Sequence, residues 1–212
     1  LQNLSKDFKN TQDDATQDLL EPIDDQIAWI TGSQVCYCAE AFQGVSRQHP
    51  DAAALSVLAT VLRNGFLHTA IREKGGAYGA GATNDTATNT FKFFSYRDPK
   101  CTETFSAFRK AIEWSKTSIT DQHLEEAILG VVSSIDKPLS PVGEAKNDFN
   151  FNLENISTKE RLEMRQRVIN CSIDDLIKVS KKYLTKPSKK SILAGKAYSE
   201  EASSLGLNLR EV

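Results

Sequence analysis

One stretch of the 212-residue chain sets donors for oxygen ligands beside residues that admit a second backbone: Leu67-His68-Thr69-Ala70-Ile71-Arg72-Glu73-Lys74-Gly75-Gly76-Ala77-Tyr78-Gly79-Ala80-Gly81. Its pattern is a helix that ends in charged residues, turns through two glycines and delivers a tyrosine into a strand. Gly75 and Gly76 permit positive φ and close approach. Arg72 supplies a fixed fork of donors for carbonyl or carboxylate oxygens, and Tyr78 a phenolic donor. Two such donors at the lip of a sheet suit an extended peptide or an oxyanion. The plainer alternative is a capped helix and a turn, with Arg72 in a surface ion pair. His68 stands four residues before Arg72 and could face the same lip. A phosphate cradle fails on spacing. Asn84 occupies the third glycine position after Gly79 and Gly81, the run lies inside a strand, and no GK[ST] follows.

Metal chemistry has little to build on in the sequence. Cys36, Cys38, Cys101 and Cys171 show no metal-ligand spacing and no CxxC. Cys36 and Cys38 share one face of an apparent strand with Cα atoms about 7 Å apart, the outer limit for a disulfide. Reduced, buried thiols are expected, which points to a reducing compartment. The 26 basic and 28 acidic residues give a net charge of −2, which offers no global attraction to nucleic acid or anionic lipid. Ten basic residues against four acidic ones lie between Lys159 and Lys190, with Tyr183 as the only aromatic. They are expected to coat solvent-facing helix sides. No apolar run reaches the ~18 residues of a membrane span.

Those residues need elements to position them. Residues 1–25 carry Lys6 and Lys9 against seven carboxylates and read as an acidic linker entering a single α+β domain over 26–212. Ile27–Phe42 is rich in β-formers and predicts a strand, broken or bulged at Gly32. Pro50 and Asp51 open a helix whose stripe is Ala54, Leu55, Leu58, Val61, Leu62 and Phe66, with Gly65 as a break before a second helix through Arg72. Tyr78–Thr83 and Thr90–Tyr96 predict a hairpin around Asn84–Asn89. Helices follow on Phe105, Phe108 and Ile112, then on Leu124, Ile128, Val131 and Ile135, then across Glu144–Asn155. Capping boxes at Ser157/Glu160 and Ser172/Asp175 start two more. Ser191–Ala194 predicts a last strand. The fold class is α+β, a mixed, mostly antiparallel sheet with helices on one face. The chain begins at Leu1 without a leader and reads as a processed protein or a fragment of something longer.

The run IREKGGAYGAG (Ile71–Gly81) resembles the arginine-to-tyrosine segment in the C-terminal half of the insulinase-like (pitrilysin) zinc metallopeptidases. Its glycine pair looks most like their presequence protease branch. A second stretch agrees in order and spacing: Ser133-Ser134-Ile135-Asp136-Lys137-Pro138, then Pro141, Phe149, Leu153, Arg161, Arg167 and the Asp175–Leu184 segment. The resemblance covers residues 27–197. It implies a clam-shell peptidase of four homologous α+β domains. An N-terminal half would carry an inverted zinc motif, H-x-x-E-H, and the C-terminal half would close over short unstructured peptides. By position, the substrate-binding residues here would be Arg72 and Tyr78, with Gly75, Gly76 and Ala77 shaping the turn.

The chain also departs from the family pattern. His49, His68 and His123 do not start an H-x-x-E-H, and Ala127 stands where a second histidine would follow Glu126. The resemblance therefore implies a zinc cofactor held by ligands outside this chain, with no catalytic residue and no metal ligand within it, and an isolated chain that is inactive. The implied partners are the N-terminal catalytic half and peptide substrates, not nucleic acid or membrane. The implied setting is a reducing soluble compartment, either cytoplasm or an organelle matrix. Two other classes stay open: a peptide-binding or scaffold subunit of a noncatalytic homologue, and a free-standing peptide-binding domain.

Overall fold

The computed structural model describes residues 26–212, so the acidic stretch read as a linker lies outside the described residues. The β-forming stretch Ile27–Phe42 is not one strand. It makes β1 (Ile27–Thr31) and β2 (Cys36–Gln43), and these two are not neighbours. Between them runs β5 (Ser188–Gly195), parallel to β1 and antiparallel to β2. Gly32 thus marks a change of strand, and the Ser33 hydroxyl closes the turn by bonding both backbone groups of Val35. The expected hairpin forms as β3 (Gly79–Asp85) and β4 (Thr90–Asp98). Its turn is tighter than expected, because Asn84 and Asp85 stay in the strand and the Asp85 carboxylate accepts the Ala87 and Thr88 N–H groups. A sixth strand, β6 (Asn208–Glu211), pairs parallel to β1. The sheet order is β3-β4-β2-β5-β1-β6, mixed and open, with β3 at one edge.

Helices cover one face. The first, α1 (Ala52–Leu62), runs without a break into an 11-residue π-helix, Arg63–Glu73. Gly65 does not interrupt it. A Cβ there would lie 2.7 Å from the Trp114 ring, so this glycine serves packing. By length and composition the whole helix could cross a membrane. Nine of the eleven α1 residues, however, are buried in the core, and the π segment carries Arg63, His68, Arg72 and Glu73. The other helices are α2 (Thr102–Ser115), α3 (Asp121–Ile135), α4 (Pro141–Leu153), α5 (Thr158–Ile169), α6 (Ile173–Tyr183) and α7 (Ser199–Ser204). Ser157 with Glu160 and Ser172 with Asp175 make both expected capping boxes. Thr120 with His123 makes a third, on α3.

Period-two alternation sends Cys36, Cys38, Glu40 and Phe42 of β2, and Phe91 and Phe93 of β4, toward the helices. Phe93 stacks on Phe108 of α2 at 5.3 Å and meets Phe42 and Phe91 edge-on. Glu40 is the exception in this apolar layer. It is 0% exposed, and one carboxylate oxygen accepts from Arg109 of α2 and from the Ser188 hydroxyl. Several basic residues do more than coat the surface. Arg165 grips Asp136 through two nitrogens, Arg167 donates to the His49 carbonyl at 2.8 Å, and Lys182 reaches Asp51 at 2.6 Å. Asp51 itself makes no side-chain cap on α1; its carboxylate is taken by Lys182 and by the Tyr183 hydroxyl of α6.

Two predictions follow from these charges. Arg109→Ala would leave the Glu40 charge buried without its cation. Breaking a buried pair costs about 3–5 kcal/mol, and the half-exposed Arg109 reduces this to about 2–3 kcal/mol. Urea unfolding of wild type and variant measures it, and a loss under about 0.5 kcal/mol would refute the linkage. For Asp51, burial pushes the carboxyl up, but hydrogen bonds from Lys182 and Tyr183 outweigh burial and hold it below the ordinary range. A depressed carboxyl contributes stability that is complete above the unfolded value of about 4 and is lost as pH falls through the folded value. Between about pH 6 and pH 2, Asp51→Asn should therefore lose stability less steeply than wild type. Parallel curves would show that Asp51 is not linked to folding.

Candidate functional site: the helix–turn–strand lip

The π-register governs how the long helix ends. Lys74 N–H bonds the Thr69 carbonyl, five residues back, and Ala77 N–H reaches the Ile71 carbonyl at 3.1 Å. Gly76 lies between at φ +87°, its N–H on the Arg72 carbonyl. Only glycine takes that conformation without strain. Gly75 is required for a different reason, since a Cβ there would stand 2.3 Å from the Ile71 oxygen. Ala77 then turns into the core, and Tyr78 N–H docks on the Arg97 carbonyl at 3.2 Å.

Arg72 and Tyr78 stand exposed on either side of this turn. Among the described residues no ion pair holds Arg72. Its Nη1 lies 3.0 Å from His68 Nε2, so that nitrogen accepts and the ring proton sits on Nδ1, 3.3 Å from Glu73 Oε1. A five-residue repeat brings both i+4 and i+5 to the side of residue i, which lets His68 touch Arg72 and Glu73 together. Tyr78 is held by its ring. The ring packs on Tyr96 at 5.5 Å, with the Arg97 guanidinium 5.6 Å from its centre. Tyr96 in turn lies across Gly79, where a Cβ would come within 2.4 Å of its ring. No hydrogen bond or ring contact joins Arg72 to Tyr78. Tyr96 and Arg97 were not among the expected site residues. Alternation from Phe91 and Phe93 puts Tyr96 on the helix-free face, whereas the positive φ of Arg97, +50°, has no sequence signal.

The three histidines occupy separate settings. His49 accepts the Asp51 N–H, His68 serves Arg72, and His123 caps α3 against the Trp114 ring. They do not fit a zinc-hydrolase ligand set of three side chains about one open position. Among the described residues, the three metal-ligating side chains brought within reach of one another are Cys36, Cys38 and Cys101, which sequence spacing did not reveal. All four cysteines are buried and free, as expected. A cleft of 720 Å³ opens between the start of α1 and helices α5 and α6, lined by Arg47, Asp51, Arg167 and Lys178 among others, and shares no residue with the lip.

This architecture has close counterparts. The chain resembles the mitochondrial presequence protease of Eremothecium gossypii, 41% identical over 157 residues, which cover 73% of this chain and 16% of that protein. The mitochondrial presequence protease of Mus musculus is 36% identical over 170 residues, covering 80% of this chain and 16% of that protein. The chain thus spans only about one-sixth of these relatives' length. Among solved structures, a Helicobacter pylori protease superposes with TM-score 0.69 at 19% identity, over 79% of this chain and 43% of that one. A peptidase M16 inactive domain from Pseudomonas fluorescens gives 0.65 at 16%, over 81% and 44%. These two show the α+β fold. The PreP C-terminal domain family matches residues 31–193, a span that contains the whole Arg72–Tyr78 lip, and the chain belongs to that family.

Proposed function

We propose that the chain is the C-terminal, substrate-binding domain of a zinc metalloendopeptidase that degrades short unstructured peptides in a closed chamber. The observation that carries this reading is the lip: an exposed guanidinium and an exposed phenol flank a two-glycine turn beside the edge strand β3. The zinc belongs to ligands outside this chain, because its own histidines are engaged separately. The partner is the N-terminal half of the same enzyme, which closes over the lip with the peptide between. Arg72 binds the peptide backbone, and Tyr78 donates to a carbonyl near the cleaved bond. Gly75, Gly76 and Ala77 set the separation of these two donors. The mitochondrial relatives support an organelle matrix as the location.

A noncatalytic peptide-binding or scaffold subunit is the second reading, favoured by the likeness to a peptidase M16 inactive domain. An H-x-x-E-H motif upstream in the parent polypeptide selects the enzyme, and its absence selects the scaffold.

Steady-state kinetics on a fluorogenic peptide test the roles in the intact enzyme. Tyr78→Phe should lower kcat by about 10²-fold with little change in KM, since its donor matters most as the carbonyl oxygen gains charge. Arg72→Ala should mainly raise KM, as expected of a contact made equally in ground and transition states. Wild-type kinetics in both variants would defeat the assignment. Zinc-dependent cleavage by the isolated chain would defeat the whole reading.

A further inference from the structure

Away from the lip, the start of β2, the end of β4 and the start of α2 converge on sulfur. Cys36 and Cys38 leave β2 on its helix side, and Cys101 sits at the N-cap of α2. Their sulfurs all lie within 4.8 Å of one another, with Cys36 and Cys38 at 3.9 Å, and the three residues are 0–1% exposed. We propose that Cys36, Cys38 and Cys101 form a buried three-sulfur site for one cuprous ion, which ties β2 to the end of β4 and the start of α2.

The spacing suits a metal better than a disulfide. Metal–sulfur bonds of about 2.3 Å hold three sulfurs around one trigonal ion about 4 Å apart. A disulfide would need about 2 Å, half the present Cys36–Cys38 separation, between residues two apart on a strand. The donor count selects the ion. Structural zinc closes with four protein ligands. Among the described residues no fourth side chain joins these three. The nearby Asp98 carboxylate is already engaged by the Thr104 hydroxyl at 2.7 Å and the Lys100 N–H at 2.9 Å. Soft thiolates without a fourth donor favour Cu(I).

Cys38 Sγ donates to Cys36 Sγ, whose own contacts are the Asp98 and Lys100 carbonyls at 3.1 and 3.4 Å. The positive end of the 14-residue α2 helix favours a metal-bound thiolate at Cys101. As Cu(I) binds, the three thiols release three protons, so the site passes from 0 to −2 with no change of oxidation state. Cys171 stands apart; burial pushes its thiol up to about 12. The site also touches the lip indirectly. Cys36 Sγ lies 3.1 Å from the Asp98 carbonyl, and Asp98 follows Arg97, whose carbonyl holds Tyr78.

The test uses the intact polypeptide, reduced and anaerobic, both native and refolded, offered Cu(I) as its bicinchoninate complex. Absorbance lost from that complex counts copper transferred. Wild type and Cys171→Ser should take up one more Cu(I) than Cys101→Ser or the Cys36→Ser/Cys38→Ser double variant. Cys36→Ala, which keeps the helix-cap residue, should weaken uptake by at least the ~10–100-fold that loss of even an outer partner costs. Equal uptake in all variants would overturn the proposal. So would preferential binding of Zn(II) at these sulfurs, or recovery of any two of the three as a disulfide from protein kept reduced.

Discussion

The contact of Phe93 with Phe108 joins the layers, and much of the rest hangs from it. With Phe42 and Phe91 edge-on to the same ring, β4 is fixed with its odd-numbered phenylalanines toward the helices. Side chains alternate strictly along a strand, so Phe94 and Tyr96 have no choice but the opposite face. Each lies over a glycine of β3, Tyr96 at Gly79 and Phe94 at Gly81. A one-residue slip of β4 would move the aromatics from both faces at once and remove the ring on which Tyr78 rests.

Polar groups between the layers act as register marks. Glu40 points into the core and finds Arg109 from α2 and Ser188 from β5, so one carboxylate fixes a helix and a strand against β2. The Tyr183–Asp51–Lys182 cluster does the same between α6 and the start of α1. Such pairs add little net stability compared with apolar groups of the same shape, but they penalise any arrangement that leaves them unpaired. The opposite face of the sheet has no such partner layer among the described residues. Trp29, Tyr37 and Leu193 sit side by side in register there and remain more than a third exposed.

What the sequence made legible was local. Capping boxes at Ser157 and Ser172 are four-residue patterns, and the hairpin is two alternating runs with a polar turn. The third box escaped notice because His123 stands where glutamate or glutamine is expected. The break at Gly32 was legible in Ile27–Phe42, but nothing within that stretch announces that a strand from residue 188 onward lies between its two pieces. The π-register left no mark either, as its apolar spacing passes for an α-helix. Of the candidate lip, the two-glycine turn was readable, since glycine reports backbone demand directly. The meeting of Cys101 with Cys36 and Cys38 was not, because it depends on where α2 docks.

The lip holds its two donors by the parts that do not donate. Tyr78 is pinned through its ring, between Tyr96 and the Arg97 guanidinium, and no protein group among the described residues takes its hydroxyl. Arg72 gives one nitrogen to His68 and keeps the remaining face of its fork available. In the proposed peptide complex, ordering a long side chain beforehand would remove an entropy cost of about 0.5–1.5 kcal/mol from binding. The glycine turn makes this arrangement necessary as well as useful. A chain that reverses through positive φ at Gly76 offers no side chain of its own to steady its neighbours, so the steadying groups come from the helix before it and the strand beside it. That is why His68 and Tyr96, rather than the turn residues, determine how sharply the two donors are aimed.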